Sequence, residues 1–247
     1  MELFDDFFEP GAAWETISRA GHILAGITWI GLLYFFNFVQ TPAFAELSDG
    51  GRSEALRKIT LRALWWFRYG ALLTFLFGVS ILAVYGDDMD LYFEGQHGTA
   101  ILTGMLFGVT MFLNVWAIIW RHQKVIIGSA EAVAAGGQPN PDAAALAKPA
   151  ARASRANTFM SIPMLWYMVF SAHGGGFWNA EIGNLVIYWI LVLVIWAFIE
   201  ASALGLIGGF DSPFNQWAFN SHRNTIIGGF VTLAVLHFIA WELILGS

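Results

Sequence analysis

The sequence predicts an all-α, polytopic transmembrane helix bundle of about six spans with both termini on the outer face. Three observations predict it. Hydrophobic residues make up 57 % of the chain and charged residues only 12 %, where a soluble domain carries about a quarter charged. The apolar residues gather into six runs, Thr16–Pro42, Arg62–Tyr85, Thr99–Trp120, Asn157–Ala172, Asn184–Ile207 and Asn224–Leu245. All lysines and arginines except Arg19 lie in or beside alternate gaps between those runs. Loops that carry basic residues stay cytoplasmic, so an even number of spans returns both ends to the opposite side.

The elements follow in order. The segment MELFDDFFEP is acidic, whereas a signal peptide opens on a basic patch, so the first span is expected to be retained. Arg19 sits at its outer mouth. Arg52, Arg57, Lys58, Arg62 and Arg68 mark the first gap as inner. The second gap, GDDMDLYFEGQHG, has no basic residue and is outer. The third run carries Gly104 and Gly108 in a G-x-x-x-G, a spacing that lets helices approach closely. Gly128–Ala151 is rich in Ala, Gly and Pro and reads as a mobile cytoplasmic loop. The fourth run is short and holds Pro163, which predicts a kink. About 20 apolar residues cross a bilayer, and the other five runs meet that length. Residues 1–247 thus form one integral membrane domain.

Composition also excludes functions. Net charge is −6, which argues against nucleic-acid partners, since those require a basic surface. There is no cysteine, hence no disulfide, no iron–sulfur cluster and no covalent C-x-x-C-H haem.

The chemistry rests on histidine. His122 and His222 lie at the inner ends of spans, beside Arg121 and Arg223, and read as interfacial. The other four lie toward the outer side. His97 opens the third run and His173 closes the fourth. His22 lies roughly 9 Å and His237 roughly 12 Å from the outer ends of their spans at about 1.5 Å per residue. Ionisable groups at such depth are rare and usually functional, and neutral imidazole is a common axial ligand of haem iron. Non-covalent haem b is therefore the candidate cofactor. His22 and His237 are the candidate iron ligands; His97 and His173 are further cofactor-binding candidates, for a second position or a second haem. Gly26, Gly104 and Gly108 would leave room for a flat ring, and Trp29, Phe35, Phe36, Phe230, Phe238 and Trp241 could wall it. Arg68 and Glu200, each costly alone in a span, are expected to form a buried ion pair.

Three blocks carry a resemblance. HILAGITWIGLLYFFNFVQTPAFAEL (His22–Leu47), GTAILTGMLFGVTMFLNVWAIIW (Gly98–Trp120) and SRANTFMSIPMLWYMVFSAH (Ser154–His173) resemble the membrane-embedded N-terminal domain of bacterial cytochrome-c-linked urate oxidases. The His22–Trp29–Gly31 pattern is similar, more faintly, to the first helix of membrane haem-b protoporphyrinogen oxidases. The resemblance implies a multi-pass protein of the bacterial inner membrane, with both termini periplasmic. It implies electrons passing toward a periplasmic cytochrome c, with urate oxidase as the expected enzyme activity. The family commonly carries a cytochrome c domain after its membrane part, and no C-x-x-C-H occurs here. Arg121–His122 stands where the family is expected to have Pro–Asn. The alternative is a non-catalytic or electron-relay subunit of a larger respiratory or photosynthetic membrane complex. No catalytic residue is assigned; for a planar purine, Arg19 and Gln96 are the outer-side candidates.

Overall fold

The computed structural model describes residues 10–83, 93, 95–173 and 182–246. Most of the acidic second gap and most of the fourth gap therefore lie outside the described residues. Among those residues the chain is all helix, without a strand element.

The first rod is α1 (Pro10–Tyr34), a π-helical segment (Phe35–Gln40) and α2 (Thr41–Glu46). The second joins α3 (Asp49–Ala55), a π segment (Leu56–Thr60) and α4 (Leu61–Leu82). The Ser48 hydroxyl starts it by accepting from Gly51 N, the usual role of an N-terminal serine. The third rod is α5 (Gln96–Leu113), a π segment (Asn114–Ile119) and α6 (Trp120–Ala134). Then come α7 (Ala143–His173), α8 (Ile182–Ala203), the short α9 (Pro213–Asn220), α10 (His222–Ala234) and a terminal π segment (Val235–Leu245).

Five helices are long and apolar enough to cross a membrane: Gly11–Glu46, Asp49–Leu82, Gln96–Ala134, Gly183–Ala203 and His222–Leu245. They correspond to five of the six expected runs. Their outer surfaces carry many large apolar side chains. Ile27, Leu76, Val186, Val194, Phe230 and Phe238 are all exposed, a surface that water would not tolerate and lipid requires.

The fourth run differs. It lies in α7, which has too many polar residues to qualify as an apolar span. Arg152, Arg155, Asn157, Thr158 and Ser161 are all buried there. The reason is position. α7 packs against α1, α5, α6, α8, α9 and α10, so protein encloses most of its middle, while Leu165, Trp166 and Val169 nearer its end are exposed. Pro149 and Pro163 lie inside the helix without ending it. Pro163 has no N–H, so the Phe159 carbonyl four residues earlier loses its helical donor. That carbonyl faces Gly229 of α10, where an added Cβ would lie 2.8 Å from it.

The loop expected over 128–151 is mostly helix. α6 runs to Ala134 and α7 begins at Ala143, leaving 135–142 between them. Alanine is the strongest helix former, and composition alone misread that run as linker. Lys148 also fixes α7 to the segment before α9 through Asp211 at 2.7 Å.

Small residues set the closest seams. Gly70 of α4 lies against the backbone of Trp29 and Ala25. Gly21 faces the ring of Phe77, and Ser18 bonds Ser80 at 2.7 Å. Gly104 and Gly108 face Met164 and Met168 of α7. The G-x-x-x-G is thus filled by methionine and leaves no slot for a ring.

Candidate functional site

His22 lies in the seam between α1 and α4. Its Nδ1 is 2.8 Å from the backbone carbonyl of Thr74. A carbonyl only accepts, so Nδ1 carries the proton and Nε2 keeps its lone pair. Imidazole ligands of metals are commonly fixed in this way, with the second nitrogen donating to a carbonyl. Thr74 is itself held by its hydroxyl donating to Gly70 O at 2.7 Å. Room for the ring comes from Gly78, where an added Cβ would sit 3.2 Å from the imidazole. Gly26 does not provide it: a Cβ there meets only the Thr74 methyl at 3.9 Å. Thr74 and Gly78 escape sequence reasoning because they lie 52 and 56 residues from His22, in another helix.

The other histidines divide. His97 stands in the first turn of α5, and Arg19 lies within electrostatic reach of both His22 and His97. Arg19 is also tied to Glu15 at 2.6 Å. His237 belongs to another face, between the terminal π segment and α7. Its ring meets Trp166 at 5.2 Å and Phe170 at 5.0 Å, and its Nε2 lies 3.6 Å from Glu242. His173 ends α7 and is exposed. Among the described residues no group of three or more His, Asp or Glu side chains gathers at a metal-binding distance. Among the described residues, Gln96 has its Oε1 buried without a partner. The expected aromatic wall is dispersed: Trp29 and Trp241 are core, Phe36 packs on Phe67, and Phe230 and Phe238 face outward.

The structure does not bring Arg68 to Glu200. Arg68 lies over the ring of Trp120 at 3.7 Å, with Tyr69 and Trp116 beside it. Aromatic faces attract a cation that has left water. Glu200 accepts from Asn114 Nδ2 at 3.1 Å. Asn114 also donates to Asn157 Oδ1, and Asn157 Nδ2 donates to Met111 O. The result is a polar layer joining α5, α7 and α8, in which each helix supplies the partner that lipid lacks.

Residues 89–202 match the urate oxidase N-terminal family. That stretch, a little under half of the chain, is similar to urate oxidase N-terminal domains. It contains α5, α6, α7 and most of α8, and two of the three resembling blocks, Gly98–Trp120 and Ser154–His173. The block from His22 to Leu47 lies outside the matched residues, so the urate oxidase N-terminal match does not reach His22. No curated protein and no solved structure matches the chain.

Proposed function

We propose that this protein is a haem-b redox protein of the bacterial inner membrane, the membrane part of a urate-oxidising system. It would cross the bilayer six times, with α7 as the protein-covered crossing and both termini periplasmic. Electrons would pass toward a periplasmic cytochrome c. The family match over residues 89–202 supports the urate-oxidising part.

The observation that carries the haem assignment is His22. Its Nδ1–H is fixed on the Thr74 carbonyl, its ring is cleared by Gly78, and the tautomer leaves the Nε2 lone pair for iron. A bound haem would supply one-electron transfer. His97 is the second candidate ligand on that side, since it shares the neighbourhood of Arg19. His237, edged by Trp166 and Phe170, serves as a ligand only at a separate position.

The test is a spectrum of the purified protein in detergent. Reduced haem-b bands should appear, and should also appear with urate as reductant. His22→Ala should abolish the low-spin bands, and His122→Ala should leave them unchanged. A normal low-spin spectrum in His22→Ala removes His22 as a ligand. A folded wild type without a Soret band removes haem altogether and leaves the accessory-subunit reading.

A further inference from the structure

At the basic end of the bundle lies a cavity of about 550 Å³, within the range of small-molecule sites. Its walls come from the first rod, from α3 and α4, from α6, and from α7 and α9. Three of the π segments reach it, through Asn37 and Gln40, through Leu56 and Thr60, and through Ile119. Such distortions recur at functional sites.

The lining is chemically one-sided. It contains Arg52, Lys148, Arg152 and Arg155 and no carboxylate. Lys148 is matched by Asp211 at 2.7 Å, and Arg52 lies 4.0 Å from Asp49. Arg152 and Arg155 are different. They are only 6 % and 7 % exposed. Arg152 gives Nη2 to Asn220 Oδ1 at 2.5 Å, but its Nε is buried without a partner among the described residues. Arg155 makes no hydrogen bond or ion pair among the described residues, and its Nη1 is also buried and unpartnered. Arginine stays charged. Two adjacent buried cations with idle donors form a costly arrangement that an anion would relieve.

We propose that this cavity binds a phosphorylated organic molecule, its phosphate between Arg152 and Arg155 and its apolar body against Phe36, Phe44 and Phe67. Phosphate fits because its charge, up to two, matches two guanidiniums, and its oxygens accept the forked N–H pattern of arginine. The remaining volume and the phenylalanine walls require more than a bare ion. The source is either an anionic lipid from the inner leaflet or a soluble phosphate ester. The site lies apart from the candidate haem ligands His22, His97 and His237 and stands or falls independently of the haem reading.

The experiment measures unfolding temperature in dioleoyl phosphatidylcholine nanodiscs. Phenyl phosphate is titrated in one arm, dioleoyl phosphatidic acid is incorporated in a second, and sodium chloride of equal ionic strength is the control. A saturable rise on the order of 5 °C is expected at about a hundredfold excess over Kd. Arg155→Gln should abolish that rise. Without ligand, the same variant should melt at or above wild type, because it removes an uncompensated charge. A rise with phenyl phosphate identifies a soluble ester; a rise with phosphatidic acid alone identifies a lipid. The proposal is overturned if neither source exceeds the chloride control, or if Arg155→Gln lowers the ligand-free unfolding temperature and keeps the ligand response.

Discussion

Gly229→Ala should loosen the contact of α10 with α7. A methyl at Gly229 would lie 2.8 Å from the Phe159 carbonyl oxygen and 2.6 Å from Ile162 Cδ1, where ordinary contact begins at 3.4 Å. The isoleucine can turn aside, but the carbonyl belongs to a helix backbone. The two helices must therefore part by roughly 0.6 Å at this point, the difference between 3.4 and 2.8 Å. Overpacking of this kind costs about 1–3 kcal/mol. At about 2–4 °C per kcal/mol for a chain of this size, a loss near 2 kcal/mol lowers the melting temperature by roughly 4–8 °C. Gly31→Ala is the control. Nothing lies within 4 Å of its added Cβ, so only helix propensity acts, a gain of about 0.5–1 kcal/mol. Both variants are compared with wild type by circular-dichroism melting in the same detergent. If Gly229→Ala melts with wild type, the close approach of α10 to the proline-freed carbonyl is not a feature of the folded protein.

Three further outcomes are expected. In a double-mutant cycle with Arg68→Met and Glu200→Gln, the coupling energy should be below about 0.5 kcal/mol, because the two residues have separate partners; a coupling several times larger would restore the ion pair. Single cysteines at Glu46, Gln138 and Gln216 should resist an impermeant thiol reagent in intact cells while one at Asp88 is labelled, as the alternation of basic gaps requires; the reverse pattern would invert the orientation. The Lys148 ammonium holds the Asp211 carboxyl below its ordinary range, so its stabilising contribution is present above the unfolded-state carboxylate pKa and is lost as pH falls through the lower folded-state value. Melting curves of Asp211→Asn and wild type should therefore differ at neutral pH and converge in acid, and a difference that persists in acid would count against the contact.

Much of this molecule is legible in the chain because lipid imposes a simple rule. Long apolar runs become helices, and five of the six expected ones are long and apolar enough to span. What failed to show was whatever the neighbours decide. Residues 143–151 read as linker by composition, yet alanine continues the helix once Lys148 and the buried Arg152 are held. Arg152 and Arg155 passed for cytoplasmic loop charges, since no periodicity distinguishes a solvated arginine from one that α9 and the first rod enclose. Arg68 and Glu200 matched in depth and charge, but depth carries no azimuth. Each found a nearer partner, an aromatic cluster and an asparagine. His22 stood out as an ionisable group inside an apolar run, while the carbonyl that sets its tautomer and the glycine that clears its ring belong to a helix with no local signature.

The protein-covered α7 also bears on biogenesis. A segment carrying Arg152, Arg155 and Asn157 close together gains little by partitioning alone into a bilayer. Its favourable environment exists only once α5 and α6, made before it, and α8 to α10, made after it, have closed around it. If α7 crosses the bilayer as proposed, its entry is a packing reaction rather than a solubility decision, and it waits until the ribosome has finished most of the chain. Mutations in α10 that never touch α7's polar residues, at Gly228 or Gly229, would then surface in the cell as failed insertion of a helix synthesised some 60 residues earlier.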